Sequence, residues 1–201
     1  WYQTLETNPQ KLEQLEGKSR SAIDWLIENQ LLEGDTSSVV ITPLGHGAAL
    51  SGLLPTSAIQ LSSMLREYGP QLERGFEEWI PGLIYSVCHS DEFRGETPSR
   101  FFPFPRASQG SSDFWKMQKM PVTVDQSDAQ LNQSAHAVSL FATGLAERKI
   151  AFSTGIGSGA IHRLAIDVAW MLDGLHKLAC VSDLGCSQIA SNQIGMLARM
   201  V

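Results

Sequence analysis

Apolar side chains recur every three or four positions through most of this chain of 201 residues, which is the spacing of amphipathic helices. The clearest predicted helix covers residues 159–179, and its buried stripe is expected to comprise Leu164, Val168, Met171, Leu172, Leu175 and Leu178. β-Branched residues typical of a strand occur at Val39 to Ile41, after the turn-forming residues 33–38. The sequence therefore predicts a mainly α protein with one small hairpin.

The order of elements at the start of the chain, two helices and then a hairpin, is that of a winged helix. The two helices are predicted over residues 9–16 and 20–31, and the winged-helix domain is assigned residues 1–52. The helix in the recognition position carries Asp24 and Glu28 against a single arginine. Such a helix is unsuited to a groove lined with phosphates, so the wing is interpreted as a structural brace.

Residues 53–201 are predicted to form a second domain, a multi-helix bundle. Its helix boundaries follow capping residues and prolines, because proline opens a helix well but disrupts its interior. Helices after the hairpin are predicted at about 43–51, 55–69, 76–79, 83–87, 113–120, 128–148, 159–179 and 184–200. Residues 94–125 begin with a stretch rich in proline, glycine and serine and are expected to form a loop or an insertion.

Composition narrows the class of protein. Hydrophobic residues make up 43% of the chain, and no apolar run approaches the roughly 20 residues of a membrane span. No signal peptide is visible and three cysteines are too few for a disulfide framework, which favours an intracellular protein, in the cytoplasm, nucleoid or nucleus. No metal site is expected, since paired zinc-ligand spacings do not occur. The chain lacks an initiating methionine and is expected to be part of a longer protein.

The helix predicted over residues 159–179 has an unusual polar face, which comprises Arg163, Asp167, Trp170 and Lys177, with His162 at its edge. A large aromatic side chain flanked by cations suits a ligand with flat rings and negative charge, as in single-stranded nucleic acid. Two other interpretations stay open at this point. Trp170 could pack between helices, and Arg163 and Asp167 could form a solvated ion pair.

The distribution of charge makes any contact with phosphates local. The net charge of −6 argues against strong nonspecific binding of nucleic acid. Residues 1–146 hold 10 Lys and Arg against 17 Asp and Glu, whereas residues 147–201 hold 5 against 4. Any phosphate contact is therefore expected to be local, without a strong dependence of binding on salt.

Two nucleotide-binding motifs can be set aside. Gly155 to Ala160 matches G-x-G-x-x-A before a helix, but a dinucleotide site also needs a preceding strand and an acid at the end of a second strand. Residues 149–152 could pass for the first strand, whereas the region near residue 175 is predicted to be helical. The motif is interpreted as a turn into a helix N-terminus. No phosphate loop occurs, so neither ATP binding nor catalysis is expected of this chain.

Three segments, in order, resemble superfamily-two helicases of the HelQ type, a superkiller-like group that includes archaeal repair helicases and the helicase part of DNA polymerase theta. Ser38 to Leu53 (SVVITPLGHGAALSGL) resembles their wing-to-helix passage, and Gly82 to Asp91 (GLIYSVCHSD) resembles an early helix of their helical domain. Gly159 to Leu175 (GAIHRLAIDVAWMLDGL) resembles their ratchet helix, in which an Arg and a Trp seven residues apart touch bases. The resemblance implies this role for Arg163 and Trp170.

The resemblance further implies a non-catalytic accessory region of an ATP-dependent helicase, with residues 53–201 as a ratchet-like domain that grips single-stranded nucleic acid, DNA ahead of RNA. ATP and Mg would bind the recA-like motor domains of the same protein, and no cofactor is expected in this region. Residues 94–125 do not align, and His46 stands where a cation is expected. A winged-helix transcription regulator and a helical protein-interaction scaffold stay open as alternatives, and the exposure of Trp170 is the observation that separates them.

Overall fold

The computed structural model describes residues 9–35, 38–96, 109–118, 129–181 and 183–201. It confirms the mainly α fold, because the described residues form ten helices and one two-stranded sheet. The chain divides into two compact units, Trp1–His46 and Gly47–Val201, and the predicted boundary at residue 52 lies within the second of these. The two units are described separately below.

The first unit contains one long helix and the hairpin. Helix α1 covers Pro9–Glu28, and strands β1 (Leu32–Asp35) and β2 (Ser38–Ile41) pair in antiparallel register. The prediction of two helices over residues 9–16 and 20–31 is wrong. Glycine at position 17 costs a helix about 1 kcal/mol but does not end it, and here the helix continues through Gly17, whose carbonyl oxygen accepts a hydrogen bond from the Ser21 hydroxyl.

Helix α2 (Pro43–Ser51) begins as the sequence predicts, with Thr42 before a proline at the first helical position. The Thr42 hydroxyl accepts a hydrogen bond from the backbone N–H of Gly45 at 3.0 Å and donates one to the Gln30 carbonyl at 2.6 Å. The cap therefore also holds the start of α2 to the chain that precedes the hairpin.

The second unit is a bundle of helices, and its core surrounds the longest of them. Its elements are α3 (Pro55–Leu72), α4 (Phe76–Cys88), α5 (Asp91–Glu96), α6 (Gln109–Met117), α7 (Ala129–Ala142), α8 (Glu147–Thr154), α9 (Ser158–Val181) and α10 (Gln188–Met200). Helix α9 contacts α3, α4, α7, α8 and α10. The predicted apolar stripe on α9 is confirmed, since all six of its side chains are buried. Each such side chain stabilises the fold by about 1.5–3 kcal/mol.

Several predicted helix ends are wrong because tertiary packing outweighs local sequence signals. Helix α3 continues past Pro70 to the buried Leu72. Helix α4 is one helix through Pro81, where two were predicted, and all its residues from Gly82 to Cys88 are buried. Proline removes one hydrogen bond from each helix, and the burial of the following turns offsets that loss.

The helix predicted over residues 128–148 is interrupted. Gly144 has a φ of 76° and separates α7 from α8. Residues 149–152 lie in α8 and are not a strand, and Gly155, with a φ of 73°, ends α8 in the left-handed conformation that favours glycine. The predicted loop over 94–125 contains α6. Predictions for residues 1–8, 36–37, 97–108 and 119–128 lie outside the described residues.

Candidate nucleic-acid interface

Trp170 lies on the outer side of α9, opposite the helix face that forms the core. The side chain is 49% exposed. A Cβ atom at Gly52 would lie 3.7 Å from Cζ2 of the indole ring. The ring therefore lies beside the turn between α2 and α3, with about half of its surface open to solvent. The interpretation of Trp170 as a core residue is wrong.

Two further exposed side chains share this face of α9. Arg163 and Ile166 precede Trp170 by seven and four residues, which places all three on one side of the helix. Ile166 is 63% exposed, and the Arg163 side chain is also exposed. We call Arg163, Ile166 and Trp170 the outer face of α9. It combines apolar surface with one cation over a helix length of about 10 Å.

The cations that the sequence singled out all have carboxylate partners. Nε of Arg163 lies 3.5 Å from Oδ1 of Asp167, and Nζ of Lys177 lies 2.8 Å from Oδ2 of Asp173. Burial raises the pKa of Asp167, and the neighbouring Arg163 opposes that shift. The solvated ion pair that was left open for Arg163 and Asp167 is thus present. In this pair the Arg163 side chain is exposed and the Asp167 side chain is partly buried.

His162 does not lie with Trp170. Its Nε2 is 2.9 Å from Oε1 of Glu147 at the start of α8, and its ring makes an edge contact with Phe141 of α7, with 5.6 Å between ring centroids. His162 therefore connects α9 to α7 and α8. The structure brings Arg163, Asp167 and Trp170 together, with Lys177 two turns further along α9, and directs His162 elsewhere.

Sequence reasoning missed a second exposed aromatic residue, on α8. Phe152 is 93% exposed, more than any other large hydrophobic side chain among the described residues. Arg148 and Lys149 precede it by four and three residues, and both are exposed. Spacings of three and four residues place side chains on one face of a helix. The sequence could have revealed this face if residues 149–152 had been predicted as helix and not as a possible strand.

A buried serine and histidine lie as close as a nucleophile and its base. The Ser111 hydroxyl and Nδ1 of His136 are 2.8 Å apart, and the imidazole stacks on Phe114 with 4.1 Å between centroids. Both residues are buried, and burial lowers the pKa of His136 to about 4. The pair is thus a hydrogen-bonded part of the core and offers no access to a substrate.

A cysteine, a histidine and a serine connect α9 to α10. Sγ of Cys180 lies 3.0 Å from the Ser191 hydroxyl, and Nδ1 of His176 lies 2.7 Å from the Ser191 carbonyl oxygen. Gly195 permits this approach, since a Cβ there would lie 3.1 Å from the His176 ring. We interpret these contacts as packing between the two helices.

An apolar cleft of about 840 Å³ lies between α4, α6, α7 and α10. Its lining includes Phe76, Ile80, Phe114, Leu140, Met196 and Met200. Both methionines are exposed. Methionine side chains adapt to partners of different shape, as at many protein-binding surfaces.

Within the described ranges, no group of three or more His, Cys, Asp or Glu side chains is arranged to hold a metal ion. None of the helices described has both the length and the apolar character needed to cross a bilayer. Comparison of the chain with models of protein families and with curated proteins finds no match.

Proposed function

We propose that this chain is the non-catalytic accessory region of an ATP-dependent superfamily-two helicase and that the outer face of α9 holds single-stranded nucleic acid, DNA ahead of RNA. The observation that supports this most directly is the half-exposed Trp170 on a helix whose opposite face forms the core. A helix that packs so closely on one side holds the backbone that carries its outer side chains in place. A rigid, exposed indole is a suitable platform for a nucleobase.

Stacking supplies most of the expected binding energy. A base on an aromatic side chain contributes roughly 1–3 kcal/mol and does so for any base, which suits a protein that moves along a strand. The exposed guanidinium of Arg163 can also contact a phosphate or stack on a base by its plane. Asp167 remains beside it in either case and repels phosphate, so the electrostatic contribution at this face is small.

Arg163 and Trp170 would allow a strand to be held at one point while it is released at another. Hydrolysis of ATP, with Mg, belongs to the recA-like motor domains that this proposal places elsewhere in the same protein. In this arrangement the outer face of α9 binds the strand, and the motor domains move it.

The proposal is tested by the affinity of the chain for a fluorescein-labelled oligothymidylate of about 12 nucleotides, measured by fluorescence anisotropy. Trp170→Ala is expected to weaken binding by roughly 5- to 150-fold, the equivalent of one lost stacking contact, and Trp170→Phe is expected to restore part of it. Trp25→Ala removes a tryptophan of similar exposure from α1 and serves as the matched control. Equal affinities for Trp170→Ala and the parent chain would refute the proposal.

A second candidate function, a helical protein-interaction scaffold, is favoured by the apolar cleft between α4, α6, α7 and α10. Met196→Asp would place a charge in that cleft. If the helicase proposal is right, this variant binds the oligonucleotide normally, because the cleft is not part of the outer face of α9.

A further inference from the structure

We propose that α8 carries a second binding patch for the same single strand, formed by Arg148, Lys149 and Phe152. We call these three residues the α8 patch. The inference extends the proposed function, since it names further residues that hold the strand. It stands on observations that differ from those at Trp170.

The first observation is the position of Phe152. Helix α8 turns Ile150 and Thr154 inward, where both are fully buried. Phe152 lies on the opposite face of the same helix and points outward. Its 93% exposure thus results from the packing of Ile150 and Thr154 against the core. A phenyl ring so exposed buries almost no apolar surface and so contributes little to the stability of the fold. It has the full face of its ring available for stacking.

The second observation is the state of the two cations. Arg148 and Lys149 share the face of Phe152. Within the described ranges, neither side chain has a carboxylate partner or a hydrogen bond, in contrast to Arg163 and Lys177. A phosphate can approach them without displacing another anion. An aromatic ring flanked by two cations was expected at Trp170, where both cations contact carboxylates. On α8 the same combination occurs with cations that contact none.

The third observation is the charge of this stretch. Residues 147–166 hold three Lys and Arg, namely Arg148, Lys149 and Arg163, against one acid, Glu147, which already contacts His162. Residues 167–201 hold two Lys and Arg against three Asp and Glu. In a chain of net charge −6, residues 147–166 thus carry a local excess of positive charge, and such an excess attracts a polyanion.

Helix α8 lies close to the first turns of α9 along the chain and in space. Glu147 contacts His162, the residue next to Arg163, so the first turn of α8 is held against α9. Only residues 155–157 separate the two helices. A strand stacked on Trp170 and directed towards the start of α9 would pass Arg163 and then reach α8.

The chemistry favours a nucleic acid over other anionic partners. A lipid surface would need more apolar area than one phenyl ring on an eight-residue helix. An acidic peptide would use the two cations but would leave the exposed ring without a flat partner. A strand uses both, through phosphates and bases.

The test compares affinities for a fluorescein-labelled oligothymidylate of about 12 nucleotides at low salt. Phe152→Ala is expected to weaken binding by at least fivefold, with rescue by Phe152→Tyr. The double variant Arg148→Ala, Lys149→Ala is expected to weaken binding and to lower the slope of log affinity against log salt by about 1.4. Met117→Ala and the pair Arg66→Ala, Arg74→Ala remove an exposed apolar residue and two exposed cations elsewhere, and are the matched controls.

A photo-crosslinking experiment locates the bases directly. An oligonucleotide substituted with 5-iodouracil is expected to crosslink to Phe152 as well as to Trp170, as read by mass spectrometry of the digested complex. Because Phe152 is so exposed, its replacement leaves the fold intact, and circular dichroism verifies this.

The outcomes separate this inference from the proposed function. Normal binding by Phe152→Ala with weak binding by Trp170→Ala would overturn the α8 patch alone. Weak binding by Phe152→Ala with normal binding by Trp170→Ala would support the patch and overturn the α9 site. Absence of binding by the parent chain would overturn both. If only the cation variants lose affinity, or if Phe152→Ala instead abolishes binding to vesicles with phosphatidylserine, the patch does not bind bases and the inference is wrong.

Discussion

Single residues decide which face of this protein is available for binding. Trp170 and Phe152 are both aromatic residues in amphipathic helices, yet both lie outside the core, while Trp115 and Phe93 are buried. Helical spacing could predict the outward position of Trp170, because the apolar stripe of α9 is long and regular. It did not reveal Phe152, since α8 is short and its residues also suit a strand.

At the residue scale, His136 makes stability depend on pH. Burial lowers the pKa of His136 to about 4, against about 6.5 in an unfolded chain. The folded state therefore binds fewer protons between these values, and its stability falls as pH decreases from about 6.5 to about 4. The loss is expected to reach about 3 kcal/mol at most.

Urea unfolding at pH 7.5 and pH 5 measures this difference. His136→Gln, which cannot titrate, is expected to show a smaller fall in unfolding free energy between the two values than the parent chain. His46→Gln changes an exposed histidine and is the control. An unchanged pH dependence in His136→Gln would contradict the assignment.

At the scale of elements, long and strongly patterned helices and the capped start of α2 could be predicted, whereas several other helix ends could not. The stripe on α9 and the Thr42 cap on α2 are local signals, and both are confirmed. Pro70 and Pro81 are local breakers that the packed structure overrides, because burial of Leu72 and of residues 82–88 offsets the loss of one hydrogen bond in each helix. Gly17 costs about 1 kcal/mol, and α1 continues through it although residues 10–22 are exposed. Pairing partners such as Glu147 for His162 depend on how helices pack, and sequence spacing does not contain that information.

Two glycines in the first unit should respond to alanine in opposite ways. At Gly45 in α2, a Cβ would lie 1.9 Å from the Leu31 carbonyl oxygen, so backbone must move and Gly45→Ala is expected to destabilise this unit by about 2 kcal/mol or more. At Gly17 in α1, a Cβ meets nothing within 4 Å, so Gly17→Ala is expected to stabilise by up to about 1 kcal/mol. Thermal and urea unfolding followed by circular dichroism would measure both. Equal effects would show that α2 does not approach Leu31 so closely.

At the scale of the whole molecule, the proposed helicase needs coupling between ATP hydrolysis and movement of the strand. The bundle supplies a rigid helix for this purpose, because α9 is held by α3, α4, α7, α8 and α10. The winged-helix assignment and the motor domains stay predictions that rest on the resemblance, because among the described residues one helix and not two precedes the hairpin.

In the proposed parent helicase, Trp170→Ala is expected to reduce unwinding more than it reduces stability. Truncation of a fully buried large side chain costs about 2–5 kcal/mol, but Trp170 is 49% exposed, so its removal should lower the thermal midpoint far less than Leu172→Ala does. Loss of a stacked base removes roughly 1–3 kcal/mol of grip on the strand, so base pairs separated per ATP should fall while ATP hydrolysis continues. Measurement of thermal midpoint, ATPase rate and strand displacement for Trp170→Ala, Arg163→Ala and Leu172→Ala separates the two effects. A midpoint for Trp170→Ala as low as that for Leu172→Ala, with normal unwinding by Arg163→Ala, would show that the outer face of α9 serves folding and not the strand.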